Sequence, residues 1–469
     1  MSILIKSPLL CCRMKEDVHA ADVLDTFSGG HIYVENNTII SAGPEEFQGT
    51  ADQVIDASRM LVLPGLVNTH HHFFQTLTRN IYATQKSELF DWLITNYEIW
   101  RGISGEAFYI SAKTAITELL KSGCTTTSDH LYLFPQSAET TLIDREIEAA
   151  NDMGIRFQPT RGSMSLGKKE GGLPPDDVIQ TEAQIIDDTY RLIRQYHDDS
   201  FGAMSRISLA PCSPFSVTPD LMKETARIAG EHHLQIHTHL AETQDEEDFC
   251  LQKMGMRPFD FMESVNWINK NAWFAHSIYL NDKEIQKGGQ AGIGVAHCPS
   301  SNMRLGSGIA RIREMLDAGI NVGIGVDGSA SNDASNMLLE MRNAMLLSRL
   351  REPRYWLGAE EVLWMATVGG ALALGRDDIG QIQPGKCADI TMISLDRIEY
   401  AGAQHDPAAA IVFCATMAPV DWVIVNGRVV VENRQVCGLN ESKLIHDHQQ
   451  ISDELAIQAE SETGKKLRR

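Results

Sequence analysis

The stretch LPGLVNTHHH (63–72) decides the reading of this chain. Its apolar run is short and is bounded by Pro64-Gly65 on one side and polar residues on the other, which suits a buried strand. It ends on three histidines. Side chains alternate faces along a strand, so His70 and His72 point one way and His71 the other. Two imidazoles placed like this at a strand end can share a metal ion.

Seven further apolar runs repeat the style of the first, each followed by a stretch of helical period. They are GCTTTSDH (123–130), IRFQPTRG (155–162), RISLAPCS (206–213), LQIHTH (234–239), AWFAHS (272–277), GIGVAHC (292–298) and NVGIGVDG (321–328). Strands alternating with helices predict βα units and a parallel sheet. Eight units between residues 63 and 375 predict an α/β fold of the (β/α)₈ TIM-barrel type. A doubly wound open sheet would show a Gly-rich phosphate turn near its start, and none is present.

The two ends of the chain read differently. HIYVENNTIISAG (31–43) holds two strands joined at Asn36-Asn37, and DWVIVNGRVVVENRQV (421–436) has a hairpin signal at Asn426-Gly427. Residues 1–62 and 376–440 are therefore expected to build one small β-sandwich domain from both chain ends. Residues 441–469 read as a surface helix with Leu444, His448, Ile451 and Leu455 at helical spacing, ending in a frayed basic tip. Residues 82–103 contain Trp92, Tyr97 and Trp100, which fit either an amphipathic packing helix or a lid over the barrel mouth.

Composition excludes several function classes. There are 41 Lys and Arg against 62 Asp and Glu, a net charge of −21. No basic run appears before the last few residues, so neither nucleic acid nor an anionic membrane is an expected partner. No apolar stretch approaches the ~18 residues that span a bilayer. The N-terminus MSILIKSPLLCCRMKED is broken by Lys6 and Pro8 and makes a poor signal peptide. Nine scattered cysteines without a CxxC motif read as reduced thiols in a cytoplasmic protein.

The chemistry-bearing residues fall at the C-terminal ends of the expected strands, where barrel enzymes keep their sites. Strand one ends at His70-His71-His72 and strand five at His237-Thr238-His239, with Glu242 following. Strand six ends at His276, strand seven at His297-Cys298 and strand eight at Asp327. Neutral imidazoles and a carboxylate suit Zn²⁺, and a solvent ligand would leave the site open for catalysis. Bound zinc lowers the pKa of that water to ~7. A second, unligated carboxylate could then move protons to a leaving nitrogen. Iron(II) is an alternative occupant, since ligand type does not exclude it.

The segments PGLVNTHHH, HTHLAE, FAHS and GVDGSASND resemble the motifs of the amidohydrolase superfamily. The resemblance extends over essentially the whole chain, through PGKCADI (384–390) and the split β domain. Within the family, the sequence is similar to the mononuclear-zinc aminohydrolases that deaminate purines, pterins and triazines. The resemblance implies His70, His72, His239 and Asp327 as metal ligands, with His71 and His237 outside that set. It implies Glu242 as the proton-shuttling carboxylate, with His276 and Asp327 polarising the attacking water. Binuclear members carry a carboxylated lysine at the end of strand four. RISLAPCS has no lysine, which implies one zinc ion per chain.

Candidate substrate contacts lie near the same strand ends. Gln75 is placed to hydrogen-bond a ring amide. Cys212, in APCSPFS, stands where guanine-deaminating members are similar but carry an arginine. Arg161, at the end of strand three, either pairs with an acid such as Asp129 or binds a substrate carbonyl. Asn302 and Arg304 are weaker candidates. The loops NTHHHFFQTLTR, SELFDWL, SGCTTTSDHLYLFP, RGSMSLGKKEGGLPPD and APCSPFSVTPDLM are very similar to those of members that deaminate 8-oxoguanine. This implies conversion of 8-oxoguanine and water to urate and ammonia. Members acting on isoxanthopterin or on hydroxyatrazine-type triazines supply the alternatives. A non-catalytic barrel scaffold should lack a ligand, whereas every one is present. The expected partner is a small heterocyclic substrate, in a homo-oligomeric protein.

Overall fold

Every one of the eight runs becomes a parallel strand, and the eight close on themselves as a barrel in a computed structural model that describes all 469 residues. The strands are β1 (Leu66–Asn68), β2 (Cys124–Leu131), β3 (Arg156–Ser163), β4 (Ser208–Pro211), β5 (Ile236–Leu240), β6 (Ala272–His276), β7 (Gly294–His297) and β8 (Asn321–Ile324). They are short and buried nearly throughout. Helices cover the outside of the barrel, as a parallel sheet buried on both faces requires. Local signals start these helices: Thr181 and Asn281 form capping boxes, and Thr218 caps a helix that begins at Pro219.

Two further sheets lie outside the barrel, one built from amino-terminal strands alone and one that draws strands from both chain ends. Ser2–Lys6, His31–Glu35, Thr38–Gly43 and Gln53–Asp56 form one. The other includes Leu10–Cys12, Met60–Pro64, Ile390–Ser394 and the hairpin Trp422–Glu432. Ile3, Ile5, Ile32 and Val34 from the first pack on Val62, Ile390, Met392 and Ile424 from the second. The two hairpins turn at Asn36 (φ +54°) and at Asn426-Gly427 (φ +49° and +76°), as the sequence predicts. One expectation is corrected: Leu63 and Pro64 belong to the outer sheet, paired with Ile390 and Thr391, and the barrel strand starts at Leu66.

A buried ion pair joins barrel and sandwich. Arg156 on β3 grips both oxygens of Asp389, from PGKCADI, at 3.0 Å each. Both side chains are buried, so removing either would strand a charge. At the chain end, Glu441–Thr463 forms the expected helix. Its last residues are not frayed. Leu467 is buried, its carbonyl accepts the Tyr82 N–H at 2.9 Å, and Arg468 pairs with Glu460. No helix is long and apolar enough to cross a membrane.

Candidate metal centre and active site

The histidines at the ends of β1 and β5 converge, and main-chain carbonyls decide which ring nitrogen of each carries hydrogen. A carbonyl can only accept, so a ring nitrogen against one must be N–H. The His72 Nδ1 lies 2.8 Å from the His130 carbonyl, and the His239 Nδ1 lies 2.6 Å from the Cys212 carbonyl. Each therefore donates through Nδ1 and presents a lone pair at Nε2. These two Nε2 atoms face each other at 3.2 Å. His70 reaches the same result through a relay. The His237 Nδ1 donates to the Trp273 carbonyl at 2.8 Å, its Nε2 accepts from His70 Nδ1 at 2.8 Å, and His70 Nε2 is left bare.

That bare atom is buried and has no hydrogen-bond partner. The ligating atoms of His70, His72 and His239 lie within 4.8 Å of one another. Asp327 Oδ1 sits 3.3 Å from both His70 Nε2 and His72 Nε2. Three lone pairs and a carboxylate aimed at one buried point repel one another unless a cation lies between them. The donor set fits a metal ion, and neutral imidazole with carboxylate suits zinc. Burial holds the His239 imidazole down to about 3 and keeps those of His70 and His72 below their ordinary value. The neutral, ligating form is thus the one this environment selects.

Glu242 and His276 stand beside this cluster. His276 Nδ1 donates to Asn302 Oδ1 at 2.9 Å, which turns Nε2 toward Glu242 Oε2 at 3.7 Å and Asp327 Oδ2 at 3.9 Å. Burial alone would lower the His276 imidazole, but the Glu242 and Asp327 carboxylates outweigh it and raise it. Burial raises the Glu242 carboxyl against the pull of His276. The backbone is left-handed at Ala241 (φ +51°), His276 (+68°), Ser277 (+51°) and Asp327 (+62°). Such conformations in residues with a Cβ cluster where a site over-determines its geometry.

A cavity opens from this centre and is lined by His72, His239, Asp327, Glu242 and His276 together with Gln75 and Cys212. Gln75 folds against Gly328, where a Cβ would lie 1.9 Å from Gln75 Oε1. Its Oε1 is buried without a partner. Burial pushes the Cys212 thiol up to about 12, so it stays neutral. The helix Leu89–Trp100 packs through its aromatics and forms one wall of the cavity. Trp92 packs edge-on against Trp100, while Leu89, Trp92, Leu93 and Tyr97 wall the cavity.

Arg161 is a correction. The structure does not bring it into the cavity, nor does it pair with Asp129. Its Nε lies 2.7 Å from Asp188, its Nη2 donates to Gln180 at 2.8 Å, and its guanidinium sits over the Phe134 ring. The reason is strand parity: Thr160 pairs with the inward His130, so Arg161 beside it faces the outer helix Glu182–Tyr196. Asp129 likewise faces outward, accepting the Phe73 N–H at 2.6 Å. Asn302 braces His276, whereas Arg304 pairs with Asp333 away from the cavity.

The amidohydrolase family model matches residues 61–430. The chain belongs to the amidohydrolase family. It is 47% identical to the 8-oxoguanine deaminase of Pseudomonas aeruginosa over 93% of this chain and 97% of that protein. It is 36% identical to the hydroxydechloroatrazine ethylaminohydrolase of Pseudomonas sp. (strain ADP), over 90% of this chain and 91% of that one. Among solved structures, the zinc-complexed atrazine chlorohydrolase of Arthrobacter aurescens superposes with a TM-score of 0.90 at 32% identity, covering 96% of this chain and all of the other.

Two features of this amidohydrolase's site escape sequence reasoning. Tyr132 lines the cavity, its hydroxyl 3.5 Å from Gln75 Nε2. His130 Nε2 donates to the Ala210 carbonyl at 2.9 Å, and its ring stacks on His239. The only signal was their position: both stand in TTTSDHLY (125–132) at the end of β2, where His130 shares the parity of Ser128 and Thr126.

Proposed function

We propose that this amidohydrolase removes the exocyclic amine of 8-oxoguanine by hydrolysis, giving urate and ammonia. The observation that carries the reading is a single cavity lined by the proposed ligands His72, His239 and Asp327, with His70 Nε2 3.3 Å from Asp327 Oδ1, and by Glu242, His276, Gln75 and Cys212. The choice of heterocycle is supported by the 47% identity to a named 8-oxoguanine deaminase. One zinc ion per chain would be held by the four ligands, since β4 offers no lysine to bridge a second. When bound, the ion supplies Lewis acidity that makes a water acidic near neutral pH.

The chain's own residues do the rest. Glu242 accepts the proton of the attacking water and passes it to ring N3, which concentrates electron demand at C2. His276 and Asp327 orient the oxygen as it bonds to C2. They then help to deliver the second proton to the amine, so that the C–N bond breaks, ammonia leaves and the carbonyl closes. Gln75 holds the ring amide edge. Cys212, smaller than an arginine, leaves a neutral thiol beside the 8-oxo side. Arg161 has no place in this scheme.

Ammonia release from zinc-loaded protein, measured with 8-oxoguanine, guanine, isoxanthopterin and hydroxyatrazine, tests the reading. The expected result is 8-oxoguanine first by kcat/KM, with guanine far behind. A site built around a polar group can discriminate by ~10⁴-fold against a molecule that lacks it. Equal turnover of guanine would overturn the pocket assignment. Faster release of ethylamine from a hydroxylated N-ethyl triazine would move the function to that of a triazine aminohydrolase while leaving the metal site in place.

A further inference from the structure

We infer that Glu246 is a positioning residue for proton transfer, holding the turn that presents Glu242. The inference rests on the role proposed for Glu242. Glu246 is the third residue of the helix Gln244–Met254, whose N-cap Thr243 accepts its N–H. A glutamate at this position ordinarily turns back onto the N–H of the cap residue. Glu246 instead reaches past the cap. Its Oε1 accepts the Ala241 N–H at 2.9 Å and its Oε2 accepts the Glu242 N–H at 2.8 Å.

The turn needs such a clamp. Ala241 is left-handed at φ +51°, a conformation that a Cβ disfavours. Glu246 is 1% exposed, so water does not compete for its oxygens. The opposite side of the turn is pinned too: the Ala241 carbonyl accepts the N–H groups of Ile278 and Tyr279 at 2.9 and 3.0 Å, directly after His276. One turn thus ties the segment bearing Glu242 to the segment bearing His276, whose side chains face at 3.7 Å. Without the Glu246 carboxylate, two buried N–H groups lose their acceptor. Ala241 can then relax to the right-handed region, which redirects Glu242. The two hydrogen bonds of this clamp involve none of the proposed ligand side chains His70, His72, His239 and Asp327.

Glu246→Gln is nearly isosteric but has one acceptor oxygen, so its amide NH₂ faces the remaining N–H. With 8-oxoguanine as substrate, the expected result is a kcat about 10–100-fold lower, since misplacement by about 1 Å can cost 10²-fold. KM should stay within about threefold, with metal content unchanged. In the Glu242→Gln background the same change should cost nothing further, because it acts through Glu242. A kcat within twofold of wild type would overturn the inference. So would an undiminished loss in the double variant, or a loss that only follows the folded fraction. If the Gln variant does not fold, Glu246→Asp, which keeps both oxygens one methylene short, is read by the same criteria. A near-normal kcat for Glu242→Gln alone would instead remove the underlying reading of Glu242, separately from the clamp.

Discussion

The metal side and the recognition side of the cavity are built on opposite principles. On the metal side, the Nδ1 atoms of His72, His239 and His237 each donate to a main-chain carbonyl. Only the atoms aimed at the common centre are left open. On the recognition side, Gln75 Oε1 has no partner and the Gln75–Tyr132 contact is long. The protein organises one half by itself, and the other is completed by whatever enters. On the proposed reading, metal binding has little to rearrange, whereas substrate identity is read by groups that are unsatisfied until it arrives.

Asp327→Ala attacks the organised half and should have the largest effect. It removes a proposed ligand and a proposed proton acceptor together, so activity should fall by at least about 10³-fold even with excess zinc. Retained activity with a full complement of metal would break the comparison. Gln75→Leu attacks the open half. It should lower kcat/KM for 8-oxoguanine about 10–100-fold, the cost of one unmade buried hydrogen bond, with metal content intact. Arg161→Met is its counterpart: breaking the buried pair with Asp188 should cost about 3 kcal/mol of stability, while kcat/KM of the folded protein stays unchanged.

The smallest effect concerns pH. Glu340 braces the loop after Asp327, accepting from Ser300 N–H and Asn332 Nδ2 at 3.2 Å each. Burial pushes its carboxyl up to about 8. The folded state therefore holds a proton that the unfolded chain releases near pH ~4.5. This contribution to stability is full below that pH and is lost as pH rises through about 8. Glu340→Gln should flatten the decline. Its thermal midpoint relative to wild type should rise between pH 5 and pH 9, and an unchanged difference would argue that Glu340 is ionised throughout.

Much of the architecture was legible because it rests on local pattern. The short apolar runs marked the barrel strands, Asn36 and Asn426-Gly427 marked the outer hairpins, and the histidines marked the strand ends. The relay His70–His237–Trp273 was not legible, because its terminal acceptor is a backbone carbonyl on a neighbouring strand that any residue could supply. Glu246 was hidden for a similar reason, since its partners are main-chain N–H groups in a left-handed turn. Arg161 was misjudged for a different reason. Strand parity counted from His130 would have turned it outward, but the register between β2 and β3 comes only from their pairing.

The docked end of the chain has a practical consequence for anyone purifying the protein. Leu467 is buried against the segment that begins at Tyr82, and this segment leads directly into the helix bearing Trp92 and Tyr97. An affinity tag fused after Arg469 would extend from a stretch only two residues beyond that seat and compete with it. Met1 is 76% exposed. A handle placed before Met1 leaves the Leu467 seat undisturbed.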